Sequence, residues 1–176
     1  MELRTMAFSD FYAGLLDDFV RCERVERLWR KRGNDWILES IPCEKVWDDE
    51  KKAWVVSYLA RCVEKGGAVT GAFDGGRIVG FSMVEGRLRG TEERYANLAM
   101  LFVSSDFQRR GIGARLFRAA CERARDLGAR RLFISATPKE NTIAFYWKMG
   151  CRDATEGIPE FIDSPDDRPL ERDLPL

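Results

Sequence analysis

Gln108-Arg109-Arg110-Gly111-Ile112-Gly113-Ala114 follows a polar turn and opens a stretch of helical periodicity. Residues of these types at such a joint make an anion site. A helix leaves its first backbone N–H groups without intrahelical partners, and its dipole places partial positive charge there, so a phosphate satisfies both. Gly111 and Gly113 lack a Cβ, so a bulky diphosphate can approach the backbone and the chain can adopt a cupped run of N–H groups. Gln108, Arg109 and Arg110 bring donors and positive charge to the same rim. Taken by itself, the segment also reads as a glycine-shaped turn with solvated arginines. Other glycine motifs fit poorly. A dinucleotide fingerprint needs glycine where Leu116 stands, and no Gly-Lys-Ser/Thr triplet completes a Walker loop.

The 176 residues include no histidine. That removes Ser-His and Cys-His nucleophilic machinery and His-ligated metals. Acid and base work falls to carboxylates, tyrosine, lysine, cysteine or water. Cys22, Cys43, Cys62, Cys121 and Cys151 are scattered without a Cys-x-x-Cys pair, so neither a disulfide framework nor a zinc site is indicated, and no metal is expected. Cys121 and Cys151 have no His partner for a covalent route.

The elements that would position the joint can be read around it. Tyr95 to Val103 is a near-continuous apolar run, a central strand buried on both faces. Gly111 to Leu127 repeats apolar residues at three and four, with Gly128 as its stop. Arg131 to Ala136 is a short strand, parallel to the central one if the helix crosses back, and Lys139 to Met149 is a further helix. Upstream, Ala68 to Phe73 and Arg77 to Glu85 flank Asp74-Gly75-Gly76 as an antiparallel hairpin. Asp48 and Asp49 open a helix carrying Ala53, Val56, Leu59 and Val63 and closed by Gly66-Gly67. Ser9, Tyr12, Leu15, Leu16 and Cys22 predict a first helix. Residues 25 to 38 read either as a hairpin about Gly33-Asn34 or as a helix extension followed by a strand, ended by Pro42. Arg168 to Leu174 reads as an edge strand.

With Asn141-Thr142-Ile143-Ala144-Phe145-Tyr146-Trp147-Lys148-Met149-Gly150 downstream, this organisation resembles the GCN5-related N-acetyltransferase superfamily. Two patterns carry the resemblance: Gln-x-x-Gly-x-Gly at Gln108, Gly111 and Gly113, and Asn-x-x-Ala-Phe-Tyr-x-x-x-Gly from Asn141 to Gly150. Each is short, but their order and separation match, and the similarity covers about residues 66–151. The resemblance implies one domain over 1–176 of an α/β (α+β) fold: a mixed, mostly antiparallel central sheet flanked by helices. It also implies acetyl-CoA as acyl donor. The backbone of Leu101, Phe102 and Val103 would pair with the pantetheine arm, and Gln108 to Ala114, Ile112 included, would hold the diphosphate. Asn141 would contact the arm. By periodicity alone Tyr146 reads as a core aromatic, but within the motif it matches the tyrosine that protonates the leaving thiolate, with a phenol pKa near that of a thiol.

The general base departs from the family pattern. Many members carry Glu on the central strand where this chain has Ala99. Glu85 is taken as the candidate base, with Glu92, Glu93 and Glu160 as alternatives beside a water relay. Trp29, Trp36, Trp47 and Trp54 read as core, or as the wall of an acceptor pocket.

Composition bounds the remaining options. Lys plus Arg and Asp plus Glu number 29 each, so no global field favours nucleic acid or an anionic membrane. No run of about 18 apolar residues and no apolar leader stands out, and a cytoplasmic enzyme is expected. The expected reaction is direct acetyl transfer to a primary amine of a small-molecule or peptide acceptor. The alternative is a non-catalytic acyl-CoA-binding or sensing module. Relatives commonly form homodimers, and the oligomeric state stays open.

Overall fold

A strand that must be buried on both faces needs a layer above and a layer below, and the chain supplies both around Tyr95 to Val103. The computed structural model describes residues 1–175, apart from the side chain of Glu93. Its elements in order are β1 (Glu2–Thr5), β2 (Cys22–Arg32), β3 (Asp35–Val46), α1 (Asp49–Glu64), β4 (Ala68–Asp74), β5 (Arg77–Val84), β6 (Tyr95–Val103), α2 (Ile112–Asp126), β7 (Arg131–Ala136), α3 (Glu140–Lys148), β8 (Arg152–Asp153) and β9 (Arg168–Asp173). Seven strands form one mixed sheet in the order β1-β4-β5-β6-β7-β9-β8, and β2 pairs with β3 apart from it. Only β6 and β7 run parallel among these pairs. This is the mixed, mostly antiparallel sheet flanked by helices that the sequence implied.

Local signals account for most boundaries. Asp48 caps α1 by accepting from the Lys51 N–H at 2.7 Å. Gly75 and Gly76 adopt the positive φ values that turn β4 into β5. On one face of the sheet, α1 buries Val55, Val56 and Leu59 against Phe81, Met83 and Phe102. On the other, α2 and α3 bury Phe117, Ala120, Ile143 and Tyr146 against Leu98, Ile134 and Ala136. These two apolar layers fix the sheet between the helices.

Three expectations are corrected. The segment from Ser9 to Cys22 holds no α-helix: Phe8–Asp10 is a single 3-10 turn, Gly14 has φ +92°, and Cys22 already belongs to β2. Asp10 instead turns back to bind the Arg4 guanidinium at 2.9 and 3.0 Å. Pro42 does not end the second segment but lies inside β3, which with β2 forms the hairpin about Gly33-Asn34. The ladder shifts between Val25 and Arg27, opposite Cys43 and Ser40, so Pro42 sits in a bulge where no ladder N–H is needed. The strand at Arg168 is not an edge, because β8 adds to its far side and buries Leu170 and Glu171.

Candidate active site

The β6–β7 ladder has three pairs, Tyr95 with Arg131, Ala96 with Leu132 and Asn97 with Phe133. Beyond Asn97 the strands splay. β6 continues to Val103 bonded to β5, so the other edge of residues 98 to 103 has no strand partner among the described residues. An unpaired backbone edge between two buried strands needs donors and acceptors from elsewhere. Leu101, Phe102 and Val103 lie on it, each partly exposed.

The chain leaves that edge through Ser104 and enters α2 at Gly111. Gly111 is the N-cap with φ +78° and ψ 0°, a left-handed conformation that favours glycine. The first intrahelical bond is donated by Arg115 N–H to the Gly111 carbonyl at 3.2 Å. The N–H groups of Ile112, Gly113 and Ala114 therefore have no partner within the helix. A Cβ built on Gly111 would meet nothing within 4 Å, so the ground before the helix is open. Ile112 contributes only its backbone, because its side chain is buried beneath α2. Gln108, Arg109 and Arg110 are exposed at the rim. Arg109 adopts φ +63°, and the Arg110 guanidinium lies 4.6 Å from the centre of the Phe107 ring.

On the α1 face, at the point of splaying, a polar group converges. Glu85, just after β5, accepts from the Tyr58 hydroxyl of α1 at 3.3 Å and from Asn97 Nδ2 of β6 at 3.1 Å. Across the splay, Ser135 of β7 donates to Asp167 at 2.8 Å and accepts from the Asp163 backbone N–H at 3.0 Å. Burial, then the charges of Asp167 and Glu85, push the Asp163 carboxyl up to about 6. Burial, followed by the negative charge of Glu85, pushes the Tyr58 phenol up to about 12. Trp54 stacks on Tyr58 at 5.1 Å and 17°.

Tyr146 lies on the opposite face. It is 6% exposed, between Phe117 at 5.9 Å and Phe145 at 5.2 Å. Burial raises its pKa well above the ordinary phenol value, so the expectation of a near match to a thiol is corrected: the phenol stays protonated and is a weaker acid. It is the core aromatic that its periodicity indicated, beneath the splayed edge and in one cluster with Leu98 and Leu101.

The β2–β3 hairpin closes one end of the splay. Ser105 binds Cys22 through its hydroxyl, and Trp29 N–H donates to the Pro138 carbonyl at 2.7 Å, so β2 touches both lips. Beneath it lies a buried ion pair. Lys139, 4% exposed, bonds Glu23, which also binds Arg21 at 2.7 Å. Burial lowers the Lys139 pKa against the pull of Glu23. Asn141 points into this group, its Nδ2 donating to Glu23 at 3.1 Å, so its amide is engaged by the hairpin.

The alternative bases lie elsewhere. Glu92 pairs with Arg94, and Glu160 is exposed, 4.0 Å from Arg89. The Glu93 side chain is outside the described residues. Of the four tryptophans, Trp47 packs into the core against Phe19, Phe81 and Phe102. Trp29 and Trp36 flank the buried Arg168, and only Trp54 borders the Glu85 group. Asn97, Ser135, Asp163 and Asp167 were not singled out by the sequence. The one signal was a tail rich in acidic residues, without indication of which of them turn inward.

The profile of the Acetyltransferase (GNAT) family matches residues 23–151. No curated protein sequence matches the chain. Among solved structures, nourseothricin acetyltransferase shares 18% identity over 99% of this chain and 98% of its own, with a TM-score of 0.71. Aminoglycoside 6'-acetyltransferase type Ii shares 15% over 100% and 99%, with a TM-score of 0.64. An aminoglycoside 6'-N-acetyltransferase complexed with coenzyme A shares 16% over 74% and 83%, with a TM-score of 0.56. At these identities the likeness is one of fold.

Proposed function

Because the chain belongs to the acetyltransferase (GNAT) family, we propose that it transfers the acetyl group of acetyl-CoA directly to a primary amine of a small-molecule acceptor. The observation that carries this reading is the splayed β6 edge leading into the open N-terminus of α2. The residues present fit such a donor: free edge amides for a pantetheine arm, and N–H groups of Ile112, Gly113 and Ala114 for a diphosphate. Asn141, held by Glu23, is the weakest member of the expected set.

When bound, acetyl-CoA supplies a thioester carbonyl activated towards amines. The chain's own groups then divide by face. On the α1 face, Glu85 takes the proton from the acceptor nitrogen, since no carboxylate stands at Ala99. Backbone N–H groups of the β6 edge can stabilise the developing oxyanion, a contribution of about 3 kcal/mol where one donor is well placed. On the opposite face, Tyr146 Oη holds the proton that a departing thiolate requires. Its high pKa keeps it loaded at any working pH. Acid and base are thus kept apart by the sheet and meet only through the splay.

The test is release of free thiol from acetyl-CoA across a panel of primary amines, with Tyr146→Phe beside the parent. Turnover should fall by about a hundred-fold or more in Tyr146→Phe with acetyl-CoA affinity nearly intact. Undiminished turnover removes Tyr146 from the chemistry. Acetyl-CoA binding without thiol release from any amine favours the sensing module.

A further inference from the structure

The β2–β3 hairpin stands apart from the seven-stranded sheet and lies across the splay, bonded to Ser105 on one lip and to Pro138 on the other. A two-stranded ribbon is marginal by itself, so its order depends on what it docks against. The half near its turn is secured by Trp29 and Trp36, which pack on the buried Arg168. The ion pairs of Arg27 with Glu140 and of Arg30 with Asp166 are largely open to solvent and add little. The other half is anchored at Cys22 by the Ser105 hydroxyl. Between that anchor and the register shift after Val25, Glu23 and the buried Val25 share the inward face.

Glu23 is thus the polar attachment of that half. One of its carboxylate oxygens meets Lys139 and Arg21, and the other accepts from Asn141 Nδ2 at 3.1 Å. Lys139 and Asn141 both belong to the joint that leads from β7 into α3, the second lip of the splay. Lys139 is buried, and parting it from its carboxylate would leave a charge uncompensated. Asn141 is neutral and exposed on the first turn of α3, so its amide is free to turn. Asn141 is also the residue expected to meet the donor arm. A planar amide carries its donors on one edge and its acceptor on the other, and turning the donor edge to the arm takes it off Glu23.

We propose that the hairpin and the donor arm compete for the Asn141 amide, so that CoA binding loosens the Glu23 half of the ribbon while the tryptophan half stays docked. The inference rests on the acyl-transfer reading for the place of the arm. Glu23 keeps its two cations but loses a charge-assisted bond, and the coupling is negative and reciprocal. The bulge between Val25 and Arg27 confines the effect, because a break in register is where a ribbon bends. The residues set free are Glu23 to Val25 and their ladder partners Cys43 to Lys45. Arg21, next to this end, lies 5.2 Å over the Phe102 ring, which packs in the α1 layer. The loosened half therefore borders the face on which Glu85 stands, and its release widens the approach of an acceptor to that face.

Amide exchange followed by NMR on the full chain, with and without saturating CoA, decides the matter. CoA should quicken exchange at Glu23–Val25 and Cys43–Lys45 by about five-fold or more, while Arg27–Arg32 stays within about two-fold. This is opposite in sign to the protection that a ligand ordinarily confers. Asn141→Ala, a change at an exposed position, should bring the free protein to the faster rate, and CoA should then add nothing further. Protection of Glu23–Val25 by CoA, unchanged exchange there, or a quickening that survives in Asn141→Ala overturns the proposal. Failure here is distinguishable from failure of the donor reading by calorimetry with CoA. A chain that binds CoA without altering the hairpin keeps its donor site and loses the coupling, whereas a chain that binds no CoA loses both.

Discussion

Replacing Glu85 by Gln tests the base while leaving the surrounding packing in place. The parent carboxylate accepts two bonds, from Tyr58 at 3.3 Å and from Asn97 at 3.1 Å. A glutamine carbonyl keeps the Tyr58 bond. Its amide can donate to Asn97 Oδ1, which has no partner in the parent. That contact turns the Asn97 amide over and leaves its Nδ2 without the acceptor it has in the parent, so stability should fall by about 1 to 2 kcal/mol, a shift of several degrees in Tm. Turnover should respond far more strongly. Loss of a positioned base lowers kcat by about 10²- to 10⁴-fold, or about 3 to 5 kcal/mol of barrier. The KM for acetyl-CoA should hold, since Glu85 lies across the sheet from α2. A second readout is the Asp163 titration followed by carboxyl NMR. It should move down from about 6, because Glu85 is among the groups that raise it, after burial and Asp167. A folded Glu85→Gln protein with kcat within about three-fold of the parent refutes the assignment; so does loss of several kcal/mol of stability, which would make the carboxylate structural.

Two further substitutions probe the donor side. Gly111→Val forces a β-branched residue to φ +78° and fills open ground, so Tm should fall by a few degrees and acetyl-CoA affinity by about ten-fold or more. Undiminished affinity, measured by calorimetry, counts against the diphosphate seat. Glu23→Ala leaves Lys139, 4% exposed, without its carboxylate, and should cost about 3 kcal/mol. Amide exchange should then quicken across Cys22–Arg32 before the rest of the sheet, and unchanged protection there would show that the ion pair does not hold the hairpin down.

What the sequence disclosed followed from signals that are local. Asp74-Gly75-Gly76 between alternating runs forces a hairpin whatever surrounds it, and Asp48 caps α1 with its own side chain. Gly111 is legible because left-handed backbone and an open approach both call for that residue. Spacing misled at Tyr12, Leu15 and Leu16. Leu15 and Leu16 are buried against α1 and β5, but Gly14 turns the chain between them and Tyr12, so apolar periodicity arose without a helix. The tail strand looked like an edge because its alternation is weak. A two-residue partner, β8, is too short to read in advance. The polar residues at the splay were hidden for a different reason. Asn97 stands in an apolar run and Asp163 among prolines, and only the parallel register of Asn97 with Phe133 sets one opposite Ser135 and the loop that Ser135 holds.

The proposed shift of the base from β6 to the end of β5 has a geometric rationale in the ladder between them. Met83 pairs with Met100 and Val84 with Leu98, so Ala99 is the extra residue of a bulge, and Ala99 and Met100 both turn towards α1. Glu85 N–H donates to the Asn97 carbonyl at 3.0 Å, while Asn97 Nδ2 holds the Glu85 carboxylate. No carboxylate stands at Ala99, and the Glu85 carboxylate at the end of the neighbouring strand is tethered through backbone and side chain to β6 on the α1 face. The buried amide of Asn97 spends its donor on fixing Glu85. On the proposed reading, base and donor edge are then held by one strand, since the residue that positions the carboxylate belongs to β6, whose free edge would take the pantetheine arm.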